Sequence, residues 1–285
     1  MPYEVKRGQI WQLGRHRLMC GDATNREDVD ALLNGHKATL TLTDPPYGVS
    51  IVKPAGGVSA EWGVSGEERV YRRRNDRTNE LSTGQIRGGC VASTKLTQQT
   101  KLPDRSSRSL PAPKIYEPVI GDDSTDAAKE HWEIAKDVSD NQVIFGGNYF
   151  ADFLPVHKRW LVWDKQNGQN NNFADGELAW TSFDKPLRIY QWRWAGMIRK
   201  GPKNEELYER IHPTQKPVGL LRMIIEDHTK EGDSILDCFL GSGSTLIAAE
   251  TCDRTCYGME LSEVYCEKIL KRYEDYTGDK PVLLF

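Results

Sequence analysis

Residues 234–261 read SILDCFLGSGSTLIAAETCDRTCYGMEL: an apolar strand, a glycine turn, a helix and a second strand. That run recurs along the chain. A hairpin is expected over residues 8–21, then a helix capped by Thr24 or Asn25, with Val29, Leu32 and Leu33 on one face and Gly35 closing it. A β-branched, alternating strand follows at 39–43. Later come a helix from about Thr125, strands at NQVIFGGNYF, RWLVW and LRIYQWRWAG, and a helix near Pro217 that buries Val218, Leu221 and Ile225. Ser262 caps a last helix reaching about Tyr276. Strands alternating with helices make an α/β fold, a doubly wound and mostly parallel sheet.

The strand TLTLT stops at Asp44-Pro45-Pro46-Tyr47. Proline donates nothing to a sheet ladder, so both prolines lie beyond the last pairing and stiffen the loop after it. The loop presents a carboxylate, free carbonyls and one aromatic ring at a strand's carboxyl end, where open α/β sheets carry their ligand chemistry. Read alone, the same four residues also suit a proline-stiffened turn.

The turn of DCFLGSGSTL places Gly241 and Gly243 where backbone must approach a ligand closely. Leu246 stands where a dinucleotide fingerprint has its third glycine. Glu260 ends the next strand, where a carboxylate can accept both hydroxyls of a ribose. Without a pyrophosphate anchor, these features favour a nucleoside ligand.

Between about Lys53 and Tyr116 the periodicity dissolves into Gly, Ser, Thr, Arg and Gln, and a structureless stretch of that length inside a domain reads as an insertion. From Arg69 to Arg108 ten basic residues face three acidic ones, a local balance of +7. With a net charge of -3 overall, the rest of the chain carries -10. A basic segment on an acidic body is a footprint for a polyanion, and Arg72, Arg73, Arg74 and Arg77 are the candidate phosphate contacts, although charge runs are also common as solvated faces. The domain division is therefore a body of 1–52 and 118–285 and an insertion of 53–117.

Six scattered cysteines without a C-x-x-C pair or a histidine pair at ligand spacing suit buried thiols and no metal. No apolar run reaches the ~18 residues of a spanning helix, and no leader is evident, so an intracellular, cytoplasmic setting without a membrane is expected. The aromatics Trp160, Trp163, Phe173, Trp180, Phe183, Tyr190, Trp192 and Trp194 are expected in the core. QNGQNNN at 166–172 suits base edges or a turn.

Together DPPY at 44–47, HPTQKP at 212–217, DCFLGSG at 237–243 and YGMEL at 257–261 resemble the S-adenosylmethionine-dependent amino-methylating DNA methyltransferases. With the catalytic motif ahead of the cofactor motif, the order is similar to that family's β group, and the likeness covers roughly 8–52 and 115–280. It implies a Rossmann-like class I methyltransferase fold in permuted order. It implies also that Asp237, Phe239, Gly241, Ser242 and Gly243 shape the S-adenosyl-L-methionine pocket, with Glu260 on the ribose, Asp22 near the adenine ring, and Thr214 and Lys216 over the methionine end. Asn148, in FGGNYF, would lie at the rim of the target-base site. Relatives of this group often pair as homodimers and serve restriction-modification.

An exocyclic amine is a poor nucleophile because its lone pair is delocalised into the ring. Hydrogen bonds from the NH₂ to Asp44 and to the Pro45 carbonyl favour a pyramidal nitrogen with its lone pair toward the methyl donor. Tyr47 can stack on a base flipped out of duplex DNA. The expected reaction is therefore methylation of adenine N6. The rivals are cytosine N4 methylation, where relatives more often carry Ser in place of Asp44, protein glutamine methylation, where Asn is usual, and a non-catalytic nucleic-acid-binding protein.

Overall fold

The computed structural model describes residues 2–50, 116, 119–167, 174–195, 198–199 and 210–285. Nearly all of the insertion, including Arg72, Arg73, Arg74 and Arg77, lies outside the described residues, as do Phe173, Cys90 and most of the amide-rich loop. Strands β1 (Ile10–Leu13) and β2 (His16–Cys20) form the expected hairpin. Helix α1 (Arg26–Leu33) follows, with Asn25 as its cap: the Oδ1 accepts from the amides of Glu27 and Asp28. Next come β3 (Ala38–Thr43), α2 (Asp126–Val138) and β4 (Ser139–Phe145). After them are β5 (Trp160–Asp164), β6 (Gly176–Thr181), β7 (Arg188–Gln191) and a two-stranded ribbon, β8 (Trp194–Ala195) with β9 (Ile198–Arg199). The last third runs α3 (Val218–His228), β10 (Ser234–Asp237), α4 (Ser244–Thr251), β11 (Thr255–Glu260), α5 (Glu263–Thr277) and β12 (Val282–Leu283).

Ten strands make one sheet in the order β12-β1-β2-β11-β10-β3-β4-β6-β5-β7. The five central strands from β2 to β4 are parallel. Antiparallel β6 lies between β4 and β5. From β10 the chain winds toward β11 and from β3 toward β4, so the winding direction reverses between β10 and β3. The carboxyl ends of those two strands flank the resulting crevice, the usual ligand position in such sheets.

The sheet is covered on both faces. Leu40 and Leu42 of β3 join one cluster with Leu220 and Ile224 of α3, Leu246 and Ile247 of α4 and Ile269 of α5. Leu236 of β10 joins Val29 and Leu32 of α1 and Ile134 and Val138 of α2 on the opposite face. Thr41 and Thr43 of β3, which in an alternating strand would face water, are buried instead. Thr41 bonds the Ser139 hydroxyl and Thr43 the Asp237 carboxylate, because a central parallel strand has no solvated face.

Of the aromatic residues expected in the core, Trp163, Trp180, Tyr190 and Trp192 are buried, whereas Trp160, Phe183 and Trp194 are half-buried. The Trp192 indole lies against Gly219, where an added Cβ would stand 2.1 Å from Cη2, which seats α3 on the sheet. Cys20, Cys238, Cys252, Cys256 and Cys266 are buried free thiols. No helix among the described residues is long and apolar enough to cross a membrane.

Candidate active site

A cavity of about 460 Å³ opens at the carboxyl ends of β10 and β3, within the range of small-molecule sites. One half is built by the glycine turn. Gly241 takes φ +55° and donates its amide to Glu260 Oε2 at 2.8 Å, so the turn is latched to the end of β11. Burial pushes the Glu260 carboxyl up to about 7, against the amides of Ser262, Gly241 and Leu261. Burial likewise raises Asp237 to about 6, opposed by hydrogen bonds from Thr245 and Thr43 and from the Phe239 amide. Two shielded acids without a cation beside them among the described residues favour a ligand that brings hydroxyl or ammonium donors.

The HPTQKP turn folds over this half. The His212 ring packs on Tyr265 at 4.5 Å between centroids and lies over Gly241, where a Cβ would come within 3.3 Å of Nδ1. Burial lowers its pKa to about 3, so the ring is neutral and its Nδ1 accepts from Thr214. At the far wall Asp22 accepts from the amide and hydroxyl of Thr24 and pairs with Arg7 at 3.4 Å. Against its partial burial, those partners hold the carboxyl below its usual range. Phe239 meets the edge of His131 at 5.3 Å, and His131 Nδ1 lies 3.0 Å from the Ala23 carbonyl, which can only accept, so Nδ1 carries the proton.

The other half is acidic, basic and aromatic together. Asp44 Oδ1 accepts from the Tyr47 hydroxyl and Oδ2 pairs with the Lys216 ammonium. Lys216 reaches Glu177 Oε2 at 3.1 Å, and Glu177 Oε1 pairs with Lys165 at 2.6 Å. Lys165, Glu177, Lys216 and Asp44 thus form one chain of two cations and two anions, all largely shielded from water. Burial alone would raise the Glu177 carboxyl, but Lys216 and Lys165 outweigh it and hold the group at about 2. In Lys216 the two acids likewise overcome burial and raise the ammonium's pKa. For Asp44 burial prevails over Lys216 and the carboxyl is raised, which makes it the most easily protonated acid of the chain.

The loop after β3 is held from outside its own sequence. Asp122 Oδ1 accepts from three successive amides, Tyr47 and Gly48 at 3.2 Å and Val49 at 3.4 Å. The Asp122 carbonyl accepts from the Ser50 amide at 2.6 Å. Behind the Tyr47 ring lies Gly146, in a left-handed turn at φ +71°, where a Cβ would stand 2.1 Å from Cε1. Tyr149 stacks on Tyr47 with centroids 4.9 Å apart and planes within 12°.

Of the residues singled out from sequence, Asp22, Asp44, Pro45, Pro46, Tyr47, Thr214, Lys216, Asp237, Phe239, Gly241, Ser242 and Glu260 share the cavity wall. Gly243 does not: it caps α4 at φ +78° and packs toward Ile269. Lys216 reaches the Asp44 carboxylate, across the cavity from the glycine turn. Asn148 is exposed and off the wall; its neighbour Tyr149 makes the ring contact. Sequence reading missed Asp122, Glu177, Lys165 and His131. Nothing near them in sequence marks them, since the amides held by Asp122 and the carbonyl at His131 lie 73 or more residues away and Lys165 meets Glu177 across a hairpin.

A family model described as DNA methylase matches residues 126–272. The type II methyltransferase M2.MboI of Moraxella bovis is 30% identical over 136 residues, 48% of this chain and 47% of that protein. M2.DpnII of Streptococcus pneumoniae is 42% identical over 81 residues, 28% of this chain and 29% of that protein. The chain thus spans about half or less of the length of these curated relatives. Among solved structures, the PvuII DNA methyltransferase (cytosine-N4-specific) superposes with a TM-score of 0.50 at 12% identity, covering 96% of this chain and 98% of that one, a likeness of fold.

Proposed function

The chain belongs to the DNA methylase family, and from that premise we propose that it is a site-specific DNA methyltransferase that moves a methyl group from S-adenosyl-L-methionine to the N6 amine of a flipped adenine. One observation carries the reading: the Asp44 carboxylate and the glycine turn latched to Glu260 line the same cavity, an amine acceptor across from a nucleoside cradle.

The cavity's donor set suits the methyl donor. Glu260 would accept the ribose hydroxyls and Asp237 the ammonium or sugar. Phe239 offers an apolar wall to a purine ring, with Asp22 at the same end. Gly241 leaves room under His212 that a side chain would fill. When bound, S-adenosylmethionine supplies a methyl group on a positively charged sulfur. Everything else falls to the chain's own residues.

Asp44 and the Pro45 carbonyl accept the two N–H groups of the amine and turn its lone pair away from themselves. Prolines on both sides of that carbonyl keep it aimed, and Asp122 holds the three amides that follow. Tyr47 offers its ring to the flipped base. Once the amine has gained a methyl it must lose a proton, and Asp44, raised by burial, is the acid placed to take it. No metal and no covalent enzyme intermediate is required. The insertion, with Arg72, Arg73, Arg74 and Arg77, would grip the phosphates of double-stranded DNA. Asp44, where cytosine-directed relatives more often carry Ser, favours adenine.

The test is to incubate purified protein with methyl-labelled S-adenosylmethionine and mixed-sequence duplex DNA, digest to nucleosides and identify the labelled one, with Asp44→Ala alongside. Label in N6-methyladenine that vanishes in the variant is the expected result. Label in N4-methylcytosine would keep the mechanism and overturn the base. DNA without label would remove the reading altogether.

A further inference from the structure

Both oxygens of Asp44 already have partners: the Tyr47 hydroxyl on Oδ1 and the Lys216 ammonium on Oδ2. An amine that is to donate to this carboxylate meets a cation already bound there. The ammonium is also confined, with its nitrogen 5.0 Å from the Phe145 ring centroid and 5.9 Å from that of Tyr47. Those aromatic faces favour a cation and leave it few ways out. One alternative acceptor is within reach, Glu177 Oε2 at 3.1 Å. Glu177 is itself fixed by Lys165 through its other oxygen, so Oε2 stays turned toward Lys216.

We propose that Glu177 is a positioning residue for methyl transfer, the acceptor onto which Lys216 withdraws when the substrate amine takes its place on Asp44. The inference rests on the reading that Asp44 accepts the amine. Moving the ammonium from a contact shared by two carboxylates to one centred on Glu177 keeps it paired throughout. A lysine released without an acceptor would be an uncompensated buried charge, which is far costlier than an exchange of partners. Glu177 therefore makes clearing Asp44 a short exchange inside a neutral group of four. With the cation gone from Oδ2, that oxygen is open to the amine and, later, to the proton. Glu177 acts through Lys216 and does not itself touch the reacting nitrogen.

Consequently Glu177→Gln leaves Lys216 with Asp44 as its one anionic partner among the described residues and keeps the acceptor blocked. Single-turnover methylation of mixed-sequence duplex DNA by labelled S-adenosylmethionine should slow by about tenfold or more, while cofactor Kd stays within about twofold. Glu177→Asp, which restores the charge on a shorter arm, should recover part of the rate. In a Lys216→Met background, where no ammonium needs a resting place, adding Glu177→Gln should change the rate little.

Three outcomes overturn the proposal while wild-type protein still labels DNA: an unchanged rate in Glu177→Gln, a loss of rate matched by loss of cofactor binding, or the same loss in the Lys216→Met background. The second of these also identifies a variant that has failed to fold. If wild-type protein labels no DNA, the reading of Asp44 fails first and takes this inference with it.

Discussion

With a ribose on Glu260, as proposed, proton release should report ligand binding. Its carboxyl is held up at about 7 by burial in the free protein, and hydroxyl donors from a ribose would favour the ionised form. Binding near pH 6 to 7 should therefore expel a proton, and affinity should climb with pH through that window and level off above it. A fall of about one unit in the carboxyl's pKa corresponds to roughly tenfold in affinity. Titration calorimetry in phosphate and Tris reads the proton directly, and equal enthalpies in the two buffers would disprove the linkage. Gly146 gives a second prediction at this scale. Alanine there would bring a Cβ into the Tyr47 ring at a positive φ. It should cost about 1–3 kcal/mol of stability. Methylation should fall further than melting temperature alone accounts for, if the displaced ring is the one that stacks on the base as proposed. The residues of this site that sequence made legible are those in short motifs: DPPY, the glycine turn, HPTQKP and Glu260. Asp122 and Glu177 were not, because an aspartate in GDDST or a glutamate in DGELAW carries no local sign that its partners are the amides after Pro46 or the ammonium of Lys216.

Among the elements, α3 shows how a helix can depend on having no side chain at one position. Gly219 lies in its first turn, and the usual expectation is that alanine would strengthen the helix by about 1 kcal/mol. Here the added methyl would meet the Trp192 indole at 2.1 Å. Overpacking of that kind costs about 1–3 kcal/mol, so Gly219→Ala should be net destabilising in chemical denaturation, and Trp192→Leu should relieve it. A more stable Gly219→Ala protein would show that the indole moves aside freely. Helices α2 and α5 lie within one or two residues of where their apolar patterns put them, whereas the strand read over NQVIFGGNYF stops at Phe145 and the one read over LRIYQWRWAG divides into β7 and β8. Strand β6 (Gly176–Thr181) was missed, and so was the last short strand, Val282–Leu283, whose two exposed residues have no period and are defined only by their pairing with β1.

For the molecule as a whole, the roots of the insertion matter most. Ser50 and Asp122 are hydrogen-bonded to one another, so the described residues on either side of the expected insertion lie together. Replacing residues 53–117 with a short Gly-Ser linker should leave a body that melts cooperatively and binds S-adenosylmethionine. It should lose most of its affinity for duplex DNA at moderate salt. Undiminished DNA binding by that protein would remove the insertion from recognition.

The interleaving of the central sheet also sets a timetable. Strand β3, which carries the loop proposed as catalytic, lies beside β10, and Thr39 and Ser234 pair across 195 residues. At a synthesis rate of about 5–20 residues per second, the first strand waits roughly 10–40 s for its neighbour to leave the ribosome. During that interval Leu40 and Leu42 have an unpaired edge beside them. Truncated N-terminal fragments of this chain should therefore be collected by chaperones or found in inclusion bodies, and the acceptor cannot be assembled before the cofactor turn has been made.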